Sequence, residues 1–153
     1  MELVTIADGL RFPEGPIAMP DGSVILVEIA RQTLSRVTPD GGIQPIAALG
    51  GGPNGAAMGP DGALYVCNNG GFQFLKSENG DIRPVRQAHD YTGGRIERVD
   101  PITGEARVLY TSCDGRPLCG PNDIVFDKQG GMWFTDLGKT RDRDWDRSGL
   151  YYA

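Results

Sequence analysis

Three polar residues recur at one position of a repeated unit, and all three can offer oxygen to a cation. Glu14, Asn54 and Asn122 each follow a proline, in Pro13-Glu14-Gly15, Pro53-Asn54-Gly55 and Pro121-Asn122-Asp123. Each opens a unit that aligns with the others without a gap: Glu14 to Glu28, Asn54 to Asn68 and Asn122 to Asp136. A turn glycine falls eight residues after the leading residue, at Gly22, Gly62 and Gly130, and a second polar residue closes each unit at Glu28, Asn68 and Asp136. One carboxylate and two carboxamides converging on a point form an oxygen-only set. Such a set suits a hard divalent cation, and calcium accepts about six to eight oxygens in flexible geometry. The same spacing is met if Asn54 and Asn122 do no more than cap turns, a role Asn favours.

Other chemistries find less support. His89 is the single histidine, so a zinc site built on two or three imidazoles cannot come from this chain alone. Cys67 lies in an apolar run and reads as a small buried hydrophobe. Cys113 and Cys119 flank a short loop; they could close a disulfide, but no basic and apolar export leader is visible, so free thiols and a cytoplasmic location are expected. Gly50-Gly51-Gly52-Pro53-Asn54-Gly55 lacks the Gly-Lys-Ser/Thr ending of a phosphate loop and reads as a turn. The stretch from Lys139 to Arg147 mixes both signs of charge, which predicts a solvated loop, with Trp145 anchoring it on the surface. A formal net charge of −5 argues against a nucleic-acid or anionic-membrane partner, and no apolar run approaches the roughly 20 residues that span a bilayer.

The elements that must position these residues follow from the same repeat. Each unit reads as a hairpin: a short strand, a turn built on Asp-Gly or Gly-Gly, then a strand rich in β-branched and aromatic residues. The runs Val24 to Val27 and Met132 to Phe134 are apolar without alternation, which predicts strands covered on both faces. Second hairpins follow, Leu34–Val37 into Ile43–Ala47 and Ile96–Val99 into Ala106–Tyr110, so each repeat is a four-stranded antiparallel meander. The repeat spacing is 40 residues from Glu14 to Asn54, the length of one propeller blade, and 68 from Asn54 to Asn122, which requires an insertion, placed in an irregular stretch from about Gly70 to Gly94.

The expected architecture is all-β, a partial β-propeller with blade 1 at about 14–48, blade 2 at about 54–111 and blade 3 from 122. Leu150 falls in the slot of Leu34 and Ile96, and Ala153 falls level with Val37 and Val99, inside a third strand. The expectation is therefore about half of a larger ring, with sheet edges and an apolar face open to self-association. In a propeller the first strand of each blade lines the axis, which would bring Glu14, Asn54 and Asn122 to one end of the channel.

The segments Phe12-Pro13-Glu14-Gly15-Pro16, Gly52-Pro53-Asn54-Gly55 and Gly120-Pro121-Asn122-Asp123, with Trp133-Phe134-Thr135-Asp136, resemble the SMP-30/gluconolactonase/LRE-like family. The likeness runs over nearly the whole chain. It implies a six-bladed propeller with one divalent metal, usually calcium, and hydrolysis of a small-molecule lactone or related ester. Glu14 and Asn122 are then the metal ligands and Asn54 the substrate contact. The metal would polarise the lactone carbonyl, and a carboxylate would manage the proton of the attacking water. The family's further Asp, both ligand and acid/base, belongs to a later blade, and Asp136 sits in a different motif, so the catalytic base is unknown here. Gly52 stands where sugar-lactone members carry an Arg, and Phe72 or Phe74 would suit a less polar ligand. The alternative is a partial propeller without turnover, either a binding or interaction module or a truncated gene product.

Overall fold

The computed structural model describes residues 2–153, and among them every regular element is a strand. β1 (Pro13–Ala18), β2 (Val24–Glu28), β3 (Thr33–Val37) and β4 (Ile43–Ala48) form a first meander in sequence order. β5 (Pro53–Met58) and β6 (Leu64–Asn68) begin a second sheet, completed by β9 (Arg95–Val99) and β10 (Ala106–Tyr110). Between β6 and β9 the chain leaves the sheet as a separate hairpin, β7 (Phe72–Lys76) and β8 (Ile82–Gln87). The insertion is thus an ordered hairpin and not an irregular stretch. Its turn runs through Asn79-Gly80, with Gly80 at φ 94°. A two-rung ladder of β11 (Ser112–Cys113) and β12 (Arg116–Pro117) precedes the third sheet, β13 (Pro121–Phe126), β14 (Met132–Asp136) and β15 (Gly149–Tyr152).

The repeated turns explain why the three hairpins match. Met19 N–H donates to the Ser23 carbonyl, Gly59 N–H to Ala63 and Asp127 N–H to Gly131, at 2.8–2.9 Å. The fourth residue of each turn is Gly22, Gly62 or Gly130, at φ 81°, 76° and 89°, the left-handed region where a side chain is strained. Register then repeats: Val27 faces Leu34, Cys67 faces Ile96 and Thr135 faces Leu150. Ala153 exchanges backbone bonds with Met132, level with the Val24–Val37 and Leu64–Val99 pairs.

The sheets stack face to face in an open arc. Ile25, Val27 and Leu34 of the first sheet pack with Leu64, Val66 and Val99 of the second. Cys67 and Ile96 pack with Met132 and Phe134 of the third, and Tyr65 meets Phe126 edge-on at 4.9 Å between ring centres. Full burial of an aliphatic side chain such as Leu34 contributes about 2–3 kcal/mol. The second sheet is covered on both faces. On the third sheet the expectation of two-sided cover fails: Trp133 is 42% exposed and Leu150 65%, whereas Leu34 and Ile96 in the equivalent slot are fully buried. With Val125 and Tyr152, these residues leave a bare apolar face.

The inner strands β1, β5 and β13 lie side by side because glycine lets their backbones meet. A β-carbon on Gly15 would strike the Gly55–Ala56 backbone, and one on Gly55 would strike the Asn122 carbonyl. That close approach sets the residues next to these glycines beside one another.

Candidate functional site

The pairs Pro13–Glu28, Pro53–Asn68 and Pro121–Asp136 put the start of each inner strand against the end of the next strand. Glu14, Asn54 and Asn122 therefore occupy equivalent places at one end of the three sheets. Asn54 and Asn122 touch: Asn54 Nδ2 donates to Asn122 Oδ1 at 2.6 Å, across 68 residues of chain. Asn122 Nδ2 in turn donates to Asp123 Oδ2 at 3.2 Å. Glu14 is exposed on β1, the strand adjoining β5. The amide orientation leaves the Asn54 carbonyl oxygen and the second lone pair of Asn122 Oδ1 available to a ligand. The donors are carboxylate and carboxamide oxygens, so their chemistry fits a hard cation. No group of three or more His, Cys, Asp or Glu that could hold a metal occurs among the described residues, so these donors would supply only part of a cation's shell.

The closing residues of the repeat are buried posts that fix the backbone delivering the leading residues. Glu28 Oε2 accepts the Arg11 amide and Arg31 Nε, both at 2.8 Å, and its Oε1 accepts the Ser35 hydroxyl at 2.8 Å. Asn68 Oδ1 accepts the Gly52 amide at 2.9 Å and the Gly70 amide at 3.0 Å, while its Nδ2 donates to Gly50 O and Glu97 Oε2. Asp136 accepts three amides, Cys119, Gly120 and Gly138, at 2.6–2.7 Å. In every sheet a clamped amide lies two or three residues ahead of the leading residue: Arg11 before Glu14, Gly52 before Asn54, and Cys119 and Gly120 before Asn122. The sequence marks these posts as the polar residues that close each unit but assigns them no task. Their mark was a polar residue closing an otherwise apolar strand, three times over.

A rim surrounds this end. The β7–β8 hairpin grows from Asn68 of the second sheet and reaches both neighbours. Phe74 packs on Phe12 of the first sheet at 5.7 Å between ring centres, with Phe12 held at φ 59°. The Gln87 amide donates to Thr140 O of the loop after β14 at 3.1 Å, and Arg86 pairs with Asp142 of the same loop. Tyr91 OH donates to Cys119 O at 2.8 Å, and burial pushes its phenol up to about 12. Phe72 is engaged by Lys139, whose Nζ lies 3.9 Å from the ring centre. This corrects the reading of the loop after β14 as wholly solvated: Lys139 is 2% exposed. Trp145, bridged to Thr140, is 76% exposed and buries little of itself against the surface. His89 is an exposed loop residue. Cys67, Cys113 and Cys119 are free thiols, and burial raises the Cys67 thiol far above its ordinary range.

An all-β arc of stacked meanders with polar residues gathered at one end of the inner strands is the architecture of a β-propeller segment. The profile of the SMP-30/Gluconolactonase/LRE-like region matches residues 12–153, and the chain belongs to that family. A gluconolactonase from Zymomonas mobilis is 28% identical over 145 residues, which is 86% of this chain and 35% of that protein. Among solved structures, a gluconolactonase from Xanthomonas campestris aligns with a TM-score of 0.69 and 20% identity, over 97% of this chain and 46% of that one. An X-ray structure with a provisional gluconolactonase assignment aligns at 0.61 and 26% identity, over 86% of this chain and 38% of that one. The chain thus spans less than half the length of these relatives. No helix is long and apolar enough to cross a membrane among the described residues.

Proposed function

We propose that this chain carries part of the site of a calcium-dependent lactonase-type hydrolase acting on a small-molecule lactone or related ester. The observation that carries the reading is the contact between Asn54 and Asn122 at the end of the inner strands where Glu14 also stands, in a chain of the gluconolactonase family. Glu14 and Asn122 would hold the cation. When bound, a divalent cation supplies charge that polarises a carbonyl and favours a developing oxyanion. Asn54 would orient the substrate by offering its carbonyl oxygen while its amide nitrogen stays tied to Asn122. The rim would shield the site from bulk water. Gly52 offers no cation to a polyol, and the Phe12–Phe74 pair offers an apolar face, so a lactone with an apolar substituent fits the rim better than a bare sugar lactone. The free thiols accord with a reducing, cytoplasmic setting.

The second reading, a binding module without turnover, is favoured because no cluster of three His, Cys, Asp or Glu able to hold a metal occurs among the described residues. A pH-stat assay of lactone opening with and without calcium separates the two. Calcium-stimulated opening that is lost in Glu14→Gln, with KM raised in Asn54→Ala, is the expected result. Opening no faster than the protein-free blank, in a sample that binds calcium, would leave the binding module. Absence of calcium binding would remove both metal roles.

A further inference from the structure

Phe12 stands in the left-handed backbone region at φ 59°, where a bulky side chain is strained. Gln32 and Asp114 share that conformation, but both lie in tight turns, between β2 and β3 and between β11 and β12, whereas Phe12 leads into β1. Its backbone is held from both sides. Glu28 accepts the Arg11 amide at 2.8 Å, the Ala30 amide donates to Arg11 O at 3.2 Å, and the Ile29 amide donates to Phe12 O at 3.0 Å. The strain brings no core packing, because Phe12 is half-buried and belongs to neither buried apolar cluster. What the conformation delivers is a ring set against Phe74 at 5.7 Å, and Phe74 in turn meets Phe72 at 6.3 Å. Lys139 backs the row: its Nζ lies 3.9 Å from the centre of Phe72 and donates to Asn69 Oδ1 and Gly71 O. The row also stands beside the oxygen donors. Phe12 is two residues ahead of Glu14. Gly71, next to Phe72, presses on Gly52, two residues ahead of Asn54, so closely that a β-carbon on Gly52 would strike the Gly71 backbone.

We propose that Phe12 is a specificity-determining residue, aimed by its strained backbone so that it completes, with Phe74 and Phe72, an aromatic ledge that binds a linear alkyl substituent of the ligand. The inference deepens the lactone reading and rests on it only for the polar end of the ligand: the oxygen donors take the head, and the ledge takes the chain. The three rings are half-buried and offer no hydrogen-bonding group, so hydroxyls laid on them would lose water and gain no partner. The rings are tilted to one another by 57° and 84°. They make no flat platform on which a planar ring system could stack along the row. A flexible chain follows such a surface and gains with each methylene that it buries. Affinity should therefore grow with chain length, and it should do so through contacts supplied by two parts of the molecule, the entry to β1 and the β7–β8 hairpin.

Titration with γ-butyrolactone and with its γ-hexyl derivative, followed through the ring resonances of Phe12 and Phe74, tests it, in calcium and again in EDTA. The hexyl compound should bind the natural protein about tenfold more tightly than the parent, roughly the effect of two buried methylenes. Phe12→Gly, which removes the ring and the backbone strain together, should cut that preference to about threefold or less, and so should Phe74→Ala. Each variant reads the ledge from a different part of the molecule, so failure of one to fold leaves the test standing. Equal affinity for the two lactones in the natural protein, or an undiminished preference in the variants, would overturn the proposal. The two readings fail separately. A chain-length preference that persists in EDTA, with no calcium response at Asn54 and Asn122, supports the ledge and removes the cation. A calcium response with equal affinity for both lactones supports the cation and removes the ledge.

Discussion

Asp136 shows how a single buried side chain organises this end of the molecule. It is 3% exposed and accepts three backbone amides from two loops. Replacing it with Ala strands those donors where little water reaches them, and each orphaned donor costs about 1 kcal/mol or more. Asp136→Ala should destabilise the fold by about 3 kcal/mol in denaturant unfolding, and Asp136→Asn by less, because one carboxamide oxygen can still accept two of the amides. Equal stability of the Ala variant would show that the clamp is idle. Glu28 and Asn68 do the same work with different chemistry. Glu28 keeps its charge company with Arg31, and Asn68 uses both ends of its amide. The repeat thus conserves a position and a task while the residue type changes.

At the scale of elements, the inner strands are held by glycine contacts that have two distinct physical bases. Gly62 needs its freedom to turn, and nothing lies within 4 Å of where its β-carbon would be. Gly55 has no positive φ, but its β-carbon would run into the Asn122 carbonyl. Gly62→Ala should therefore cost about 1 kcal/mol of backbone strain, and Gly55→Ala about 2–3 kcal/mol of overpacking. Only the second should push β5 from β13 and lengthen the Asn54–Asn122 bond, which a crystal structure of the variant would reveal. Equal costs would contradict this division. Much of this layer was legible beforehand. The gap-free repeat carried the register down to Thr135 facing Leu150, because turn chemistry and strand period are local. The β7–β8 hairpin was missed: Lys76 to Asp81 is polar, and the Asn79-Gly80 pair was the one cue. Lys139 could not be read at all, since its burial depends on Asn69, Gly71 and Phe72, about 70 residues away in sequence. Trp133 was misplaced for a related reason: its apolar neighbours foretell a covered strand, and cover is a property of the neighbouring sheet.

For the whole molecule, the arc is open. Its third sheet presents Val125, Trp133, Leu150 and Tyr152 to solvent, where Tyr65 and Ile96 of the second sheet meet the third. An apolar face of this kind favours association. We expect the chain to self-associate, with sedimentation equilibrium giving a mass that rises with concentration and Trp133→Asp shifting it back toward monomer. A concentration-independent monomer would remove self-association from the account. The same openness bears on the site, because the three oxygen donors at the end of the inner strands would surround only part of a cation, and affinity should be weak.

The proposed cation site lies at this end of the arc. Calcium titration followed through the side-chain amide resonances of Asn54 and Asn122 tests it most directly. Saturable shifts at both amides in the natural protein, with affinity at least tenfold lower in Glu14→Gln, are predicted. Amides that do not respond to calcium, or that respond equally in both proteins, would contradict it.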